Sequence, residues 1–270
     1  MNRERFSLGL SILEQRGFKT YVHPQTYLGA NTGNQLAGTP QDKAAAFMDL
    51  WTDPKIGSIM VSCGGNFSSQ FLHLLDFDKI AKTPKTLIGF SDTTALLSAL
   101  YAKTGIGGIF GPTVQTLGRI QNIDDVFDVL EDKKSVSDFF ELSSPLIRKN
   151  QLSNAPVFAA TLSVLTSLSG TPYFPNLAGH ILVLEDVGEE LSRLDRLLWQ
   201  LNQVSPFKEL AGLMFGEFID LKDTGRSLGI NFEDITKKFG HELNTPIILN
   251  APIGHGTRFI PVPIGIQRQT

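Results

Sequence analysis

Apolar residues at Phe6, Leu10 and Leu13 recur at helical spacing, and Gly17 follows as a stop; the pattern predicts a helix over Arg3–Gln15. Phe18–Val22 then reads as a short strand. Gln41–Thr52 predicts a second helix, with Pro54 just beyond its end. Ile56–Cys63 reads as a buried strand running into Gly64-Gly65, and Ser68–Leu75 as helical. The run Thr86-Leu87-Ile88-Gly89-Phe90 is a strand that meets Ser91, where a helix starts at once. Ile109-Phe110 is a further strand before Gly111-Pro112. Strands alternating with helices in this way predict a parallel sheet with helices on its faces.

The texture changes after about Pro112. Asp124–Asp132 predicts one short helix, and Lys133–Asn154 is polar and without period. Pro156–Leu168 reads as a helix, followed by the turn Gly170-Thr171-Pro172 and a strand over His180–Glu185. Leu191, Leu194, Leu198 and Leu201 mark a long amphipathic helix. Strands are expected near Leu213–Phe215, Ile247–Leu249 and Val262–Ile266. No internal repeat is visible. The expected division is a first domain over 1–132, a linker region over 133–154 and a second domain over 155–270.

Composition narrows the classes. A chain of 270 residues buries a large core. Its formal net charge of -3 offers no basic surface for nucleic acid or an acidic membrane. Cys63 is the sole cysteine, which excludes an internal disulfide framework and a cysteine-rich metal site. No apolar run reaches the roughly 18 residues that span a bilayer. Met1-Asn2-Arg3-Glu4-Arg5 has no apolar signal core behind it. A cytoplasmic enzyme without metal or organic cofactor, binding neither nucleic acid nor membrane, is the expectation.

Three polar residues stand at strand ends. Ser91 sits where a strand turns into a helix, a place that exposes its hydroxyl and points free backbone N–H groups toward a bound oxygen. The N–H of Asp92 is the natural oxyanion donor. A serine that merely caps the helix explains the same text. Gly64-Gly65 lets backbone approach a ligand closely and is a candidate second donor; a plain tight turn is the alternative. Glu185 and Asp186 end one strand and point to opposite sides, so one of them at most orients a base. Glu185 shares the face of Ile181 and Val183 and is the candidate; a surface carboxylate pair is the alternative. Of five histidines, His255 alone lies in a Gly-rich turn, Pro252-Ile253-Gly254-His255-Gly256. Serine, carboxylate and histidine together suggest a serine hydrolase. Gly105-Ile106-Gly107-Gly108 has a nucleotide-loop look, but it ends a helix and runs into Pro112 rather than opening a helix.

These segments resemble, in order, the LD-carboxypeptidase family of serine peptidases, which includes the microcin C immunity peptidases. The resemblance rests on Cys63-Gly64-Gly65-Asn66, Ile88–Leu96, Gly111-Pro112, Gly170-Thr171-Pro172-Tyr173, Leu184–Glu189, Leu194–Leu198 and Pro252–Gly256. It implies an α/β fold: a Rossmann-like parallel-sheet N-terminal domain bearing the serine and a smaller, β-rich C-terminal domain bearing acid and base. It implies Ser91 as nucleophile, His255 as base, Glu185 as its orienter, and an oxyanion hole from the N–H of Asp92 and of Gly64 or Gly65. It also implies a homodimer and a murein-derived peptide substrate cleaved before a terminal D-amino acid. The alternatives are cleavage of aminoacyl-nucleotide conjugates, as in the immunity branch, or a non-catalytic peptide-binding member of the fold. Arg258 is the candidate cation for the substrate carboxylate. Three departures stand out. The family opens with a strand, whereas this chain opens in a helix, so a sheet edge is expected to lie open. Cys63 replaces an arginine common before the glycine pair, and Ala159-Ala160-Thr161-Leu162 stands where Gly-Gly-Asn-Leu is common. The expected linker also lacks the tryptophan with which the immunity branch can stack an adenine, and Trp51 and Trp199 are read as packing residues.

Overall fold

The computed structural model describes residues 1–28, 37–135, 139, 155–204, 209–243 and 247–265. The expected linker over 133–154 lies almost entirely outside the described residues. Helix α1 covers Arg3–Gln15, and the side chain of Asn2 caps it by accepting the Arg5 N–H at 3.0 Å. Helix α2, Pro40–Thr52, begins with a capping box between Thr39 and Asp42 and a proline in its first turn. A first sheet follows from β1 (Ser58–Met60), β2 (Thr86–Gly89) and β3 (Ile109–Phe110), all parallel. Between β1 and β2 lie a 3₁₀ helix, Ser68–Leu74, and α3, Phe77–Lys82. Helix α4, Thr94–Thr104, joins β2 to β3, and Gly105 ends it in the left-handed region. Helices α5 (Val114–Leu117) and α6 (Ile123–Leu130) complete this half.

The second sheet is itself parallel, with order β4 (Val157–Thr161), β5 (Ile181–Val187), β6 (Gly212–Ile219) and β7 (Ile247–Ile248). Helices α7 (Leu162–Ser167), α8 (Leu191–Gln203) and α9 (Phe232–Leu243) connect its strands. This half is therefore a second α/β layer, richer in helix than the β-rich expectation. Strand β8, Val262–Pro263, then returns to the first sheet and pairs antiparallel with β3.

Four local expectations differ. Phe18–Val22 forms no strand. Phe18 and Tyr21 border a cavity of about 570 Å³ that Gly57, Ser58 and Met60 also line, so this segment faces open space where a strand needs a bonded neighbour. Strand β1 stops at Met60 because the carbonyls of Val61 and Ser62 accept the N–H groups of Val114 and Gln115, both at 3.0 Å. The expected helix over Pro156–Leu168 is strand first and helix second. Phe158–Thr161 are buried on both faces of the sheet, a setting that overrides the helix preference of two alanines. The last strand is only two residues long, and 266 lies outside the described residues.

Helix α4 binds the two layers together. Thr94 through Leu100 are all buried. Thr94 Oγ1 accepts the N–H of Thr161 at 3.1 Å, and Tyr101 Oη meets His180 Nε2 at 2.7 Å. Beyond β8, Ile264 N–H donates to Gly108 and Gly265 N–H to Val157, at 2.7 and 3.1 Å, so one segment stitches β3 of the first sheet to β4 of the second. On the outer face, Gly9 lets α1 lie directly on α5: a β-carbon there would stand 1.9 Å from the Val114 carbonyl oxygen.

Candidate active site

The site lies beyond the carboxyl ends of β2 and β5, where parallel α/β sheets leave room for ligands. Ser91 follows β2 and Phe90, and it opens a single 3₁₀ turn ahead of α4. Its backbone has φ of 61°, a conformation that costs an ordinary residue on the order of 1–3 kcal/mol. The residues that precede the 3₁₀ turn and α4, Phe90 and Thr93, make no side-chain cap, and among the described residues the Ser91 hydroxyl makes no hydrogen bond to the helix end. Gly64 packs against that hydroxyl: a β-carbon at 64 would stand 3.2 Å from Ser91 Oγ. The glycine pair thus does more than turn the chain, since it brings backbone against the serine.

Glu185 is completely buried near the end of β5 and lies against His255. Its Oε2 meets His255 Nδ1 at 2.6 Å, and Oε1 accepts a short hydrogen bond from the Thr161 hydroxyl. With Nδ1–H donated to the carboxylate, Nε2 is the imidazole nitrogen left to take a proton. Both glycines flanking His255 are required by close approach. At Gly254 φ is 150° and a β-carbon would come 2.8 Å from Glu217 Cβ; at Gly256 it would meet the Glu217 carboxylate at 2.1 Å. Asp186 points the other way. Its two oxygens accept the N–H of Ser163, at the start of α7, and that of Val187, at the end of β5, both at 2.8 Å. Burial pushes the Asp186 carboxyl above the ordinary aspartate range, opposed by those two amides.

The first layer grips the His255 turn from outside. Arg119 Nη1 donates to the His255 carbonyl at 2.8 Å, and Gln121 N–H donates to that of Thr257 at 2.8 Å. The Asn122 amide bonds Phe259 twice, through N–H and C=O, at 2.9 and 3.1 Å. Glu217 accepts the Gly256 N–H at 2.9 Å. The imidazole also lies 4.8 Å, centroid to centroid, from the ring of Phe90, the residue before Ser91. This sets His255 beside the serine turn, although Ser91 and His255 share no hydrogen bond among the described residues. Arg258 is exposed and takes no part in these hydrogen bonds, and Arg119 is the cation that touches the turn.

Sequence reading missed Thr161, Arg119, Asn122 and Glu217. Thr161 was hidden because its strand read as helix. The other three act on the His255 turn across long stretches of chain and have no local signature. Among the described residues no group of three metal-ligating side chains occurs, and no helix is long and apolar enough to cross a membrane.

The chain as a whole has relatives. Residues 1–111 match the LD-carboxypeptidase N-terminal domain, and 154–269 match the LD-carboxypeptidase C-terminal domain. The chain belongs to the LD-carboxypeptidase family. A Bacillus subtilis protein named a probable murein peptide carboxypeptidase is 28% identical over 98% of this chain and 83% of its own length. A murein tetrapeptide carboxypeptidase of Pseudomonas aeruginosa is 30% identical over 85% of this chain and 77% of its own. The Escherichia coli microcin C7 self-immunity protein MccF is 26% identical over 98% of this chain and 85% of its own. The fold agrees with that of an Oxalobacter formigenes muramoyltetrapeptide carboxypeptidase at a TM-score of 0.79, with 23% identity over 98% of this chain and 89% of that one. As an LD-carboxypeptidase family member, the chain is of peptidase descent.

Proposed function

We propose that this LD-carboxypeptidase family member is a serine-type hydrolase that removes a terminal D-amino acid from murein tetrapeptide. The observation that carries the reading is Ser91 in the left-handed backbone region with Gly64 against its hydroxyl, beside a histidine whose other nitrogen is bonded to a buried glutamate. A helix cap needs none of these features. Ser91 Oγ attacks the carbonyl carbon of the bond to the D-amino acid while His255 Nε2 takes its proton. The negative oxygen is received by the N–H of Asp92 and of Gly65 or Gly64. Collapse breaks the C–N bond, and His255 returns the proton to the departing amine. Water, activated by the same histidine, then releases the acyl group from Ser91. Glu185 holds the imidazole tautomer and stabilises the imidazolium, and the Thr161 hydroxyl holds Glu185. The names of the murein-acting relatives favour this substrate.

A second reading is cleavage of an aminoacyl-nucleotide conjugate. It is favoured by the likeness to MccF and by Cys63 in place of the arginine common before the glycine pair. The test incubates the purified protein with murein tetrapeptide and follows tripeptide and D-alanine by mass spectrometry, with Ser91→Ala alongside. Release that Ser91→Ala lowers by about 10⁴-fold is expected. Release unchanged by that substitution defeats the mechanism, and turnover of an aminoacyl-nucleotide alone moves the assignment to the second reading.

A further inference from the structure

The residue after the nucleophile carries a carboxylate, and in a site that must stabilise a negative oxygen this needs a reason. A negative side chain beside a developing oxyanion opposes it electrostatically. Asp92 does not act as a base toward Ser91: its Oδ2 faces the loop that follows the glycine pair. That single oxygen accepts three hydrogen bonds, from the N–H of Phe67 at 3.0 Å, the N–H of Ser68 at 3.0 Å and the Ser68 hydroxyl at 2.7 Å. The 3₁₀ helix that begins at Ser68 has no side-chain cap from its own N-terminal residue, Phe67. Asp92 supplies the cap from across the site. The loop lies in contact with the carboxylate: a β-carbon at Gly65 would stand 3.5 Å from Asp92 Oδ2. The Lys43 ammonium lies 5.0 Å from the centroid of the Phe67 ring; burial pushes it below the ordinary lysine range, and the Asp92 charge opposes that shift. Three donors and a nearby cation offset the carboxylate's field, and what remains is a mechanical tie between nucleophile turn and glycine loop.

We propose that the Asp92 side chain is a positioning residue that latches the Gly64–Ser68 loop to the nucleophile turn, so that the two oxyanion donors, one on each segment, keep a fixed separation. The inference rests on the serine-hydrolase reading above. One donor, the Asp92 N–H, is on the turn; the other, from the glycine pair, is on the loop, and among the described residues the strand pairing of β1 with β2 ends before these two segments meet. The latch therefore acts on the transition state and leaves ground-state binding alone, because the oxyanion forms only after attack.

The experiment compares the wild type with Asp92→Ala, Asp92→Asn and Ser68→Ala. It measures kcat and KM on murein tetrapeptide, the rate at which a serine-reactive phosphonate labels Ser91, and thermal unfolding. The phosphonate adduct is tetrahedral and fills the oxyanion hole, so its rate reads the hole without substrate recognition. Asp92→Ala is expected to lower kcat and the labelling rate together by about 10²–10³-fold, the loss typical of one oxyanion donor, with KM changed less than about threefold. Asp92→Asn keeps an acceptor oxygen and is expected to recover at least about tenfold of that loss, while Ser68→Ala, which leaves both amide bonds, costs about tenfold or less. The proposal is overturned if Asp92→Ala labels and turns over within about threefold of wild type, or if its loss lies in KM. It is also overturned if Asp92→Asn does no better than Asp92→Ala. Should Asp92→Ala not fold, Asp92→Asn and Ser68→Ala carry the decision: slowed labelling at unchanged KM supports the latch, and wild-type labelling in both overturns it. A wild type that the phosphonate does not label overturns the serine-hydrolase reading itself, a result distinct from variants that label as well as a reactive wild type.

Discussion

The serine turn and the Glu185–His255 pair are built by opposite means. Ser91 is placed by backbone: a left-handed φ of 61° and a glycine against its hydroxyl. His255 is placed by side chains: Glu185 from the second sheet, with Arg119 and Asn122 from the first layer on its turn. The first needs only its own backbone turn and one loop of the same sheet, 27 residues earlier in the chain. The second exists only when segments far apart in sequence have met. Mutations should therefore separate the halves: changes at the serine turn act on chemistry with little effect on stability, whereas changes around the histidine act on both.

The sharpest test is Ser91→Gly. On the serine-hydrolase reading it removes the nucleophile, so kcat/KM is expected to fall by about 10⁴-fold, yet glycine is at ease at positive φ and thermal stability should not fall. A clear loss of melting temperature would show that the serine hydroxyl is structural. Glu185→Gln keeps shape while offering the wrong partner to Nδ1–H, and a loss approaching 10⁴-fold in kcat is expected. It should also lower the melting temperature, because the donors from Thr161 and His255 no longer meet a carboxylate. Activity near wild type in Glu185→Gln would place the orienting group elsewhere. Arg119→Met removes the grip on the His255 carbonyl, and a misplaced base is expected to cost about 10- to 100-fold in kcat at unaltered KM. A change confined to KM would make Arg119 a substrate ligand. The smallest effect is expected from Arg258→Ala, a severalfold rise in KM measured on murein tetrapeptide, since its side chain is exposed and solvent weakens its hold on a carboxylate. An unchanged KM removes Arg258 from recognition.

The same contrast governs what the sequence revealed. Ser91, Gly64 and Gly65 were legible because strand, turn and helix succeed one another within a few residues. Glu185 was legible only as a strand-end carboxylate; that it and not Asp186 meets the histidine depends on which side of β5 faces Gly254. Thr161 was lost when Pro156–Leu168 read as one helix, because continuous burial in a parallel sheet has no period to distinguish it from a buried helix. The strand expected at Phe18–Val22 failed for a different reason. Local preference favoured extended chain, but among the described residues the segment borders a cavity and pairs with no strand. Arg119 and Asn122 carry no signal at all, because a surface arginine and an arginine holding a carbonyl far along the chain look alike in one dimension.

Strand β8 gives the molecule an order of assembly. The first sheet pairs β3 with β8 at Phe110 and Val262, and Gly265 reaches on to Val157 of the second sheet. During synthesis the Ser91 turn leaves the ribosome long before His255, and the seam that joins the layers leaves later still. Pairings so distant in sequence form slowly and late. A nascent chain thus carries Ser91 without His255, and on the hydrolase reading proposed above it gains hydrolytic competence only once the chain through His255 has been made.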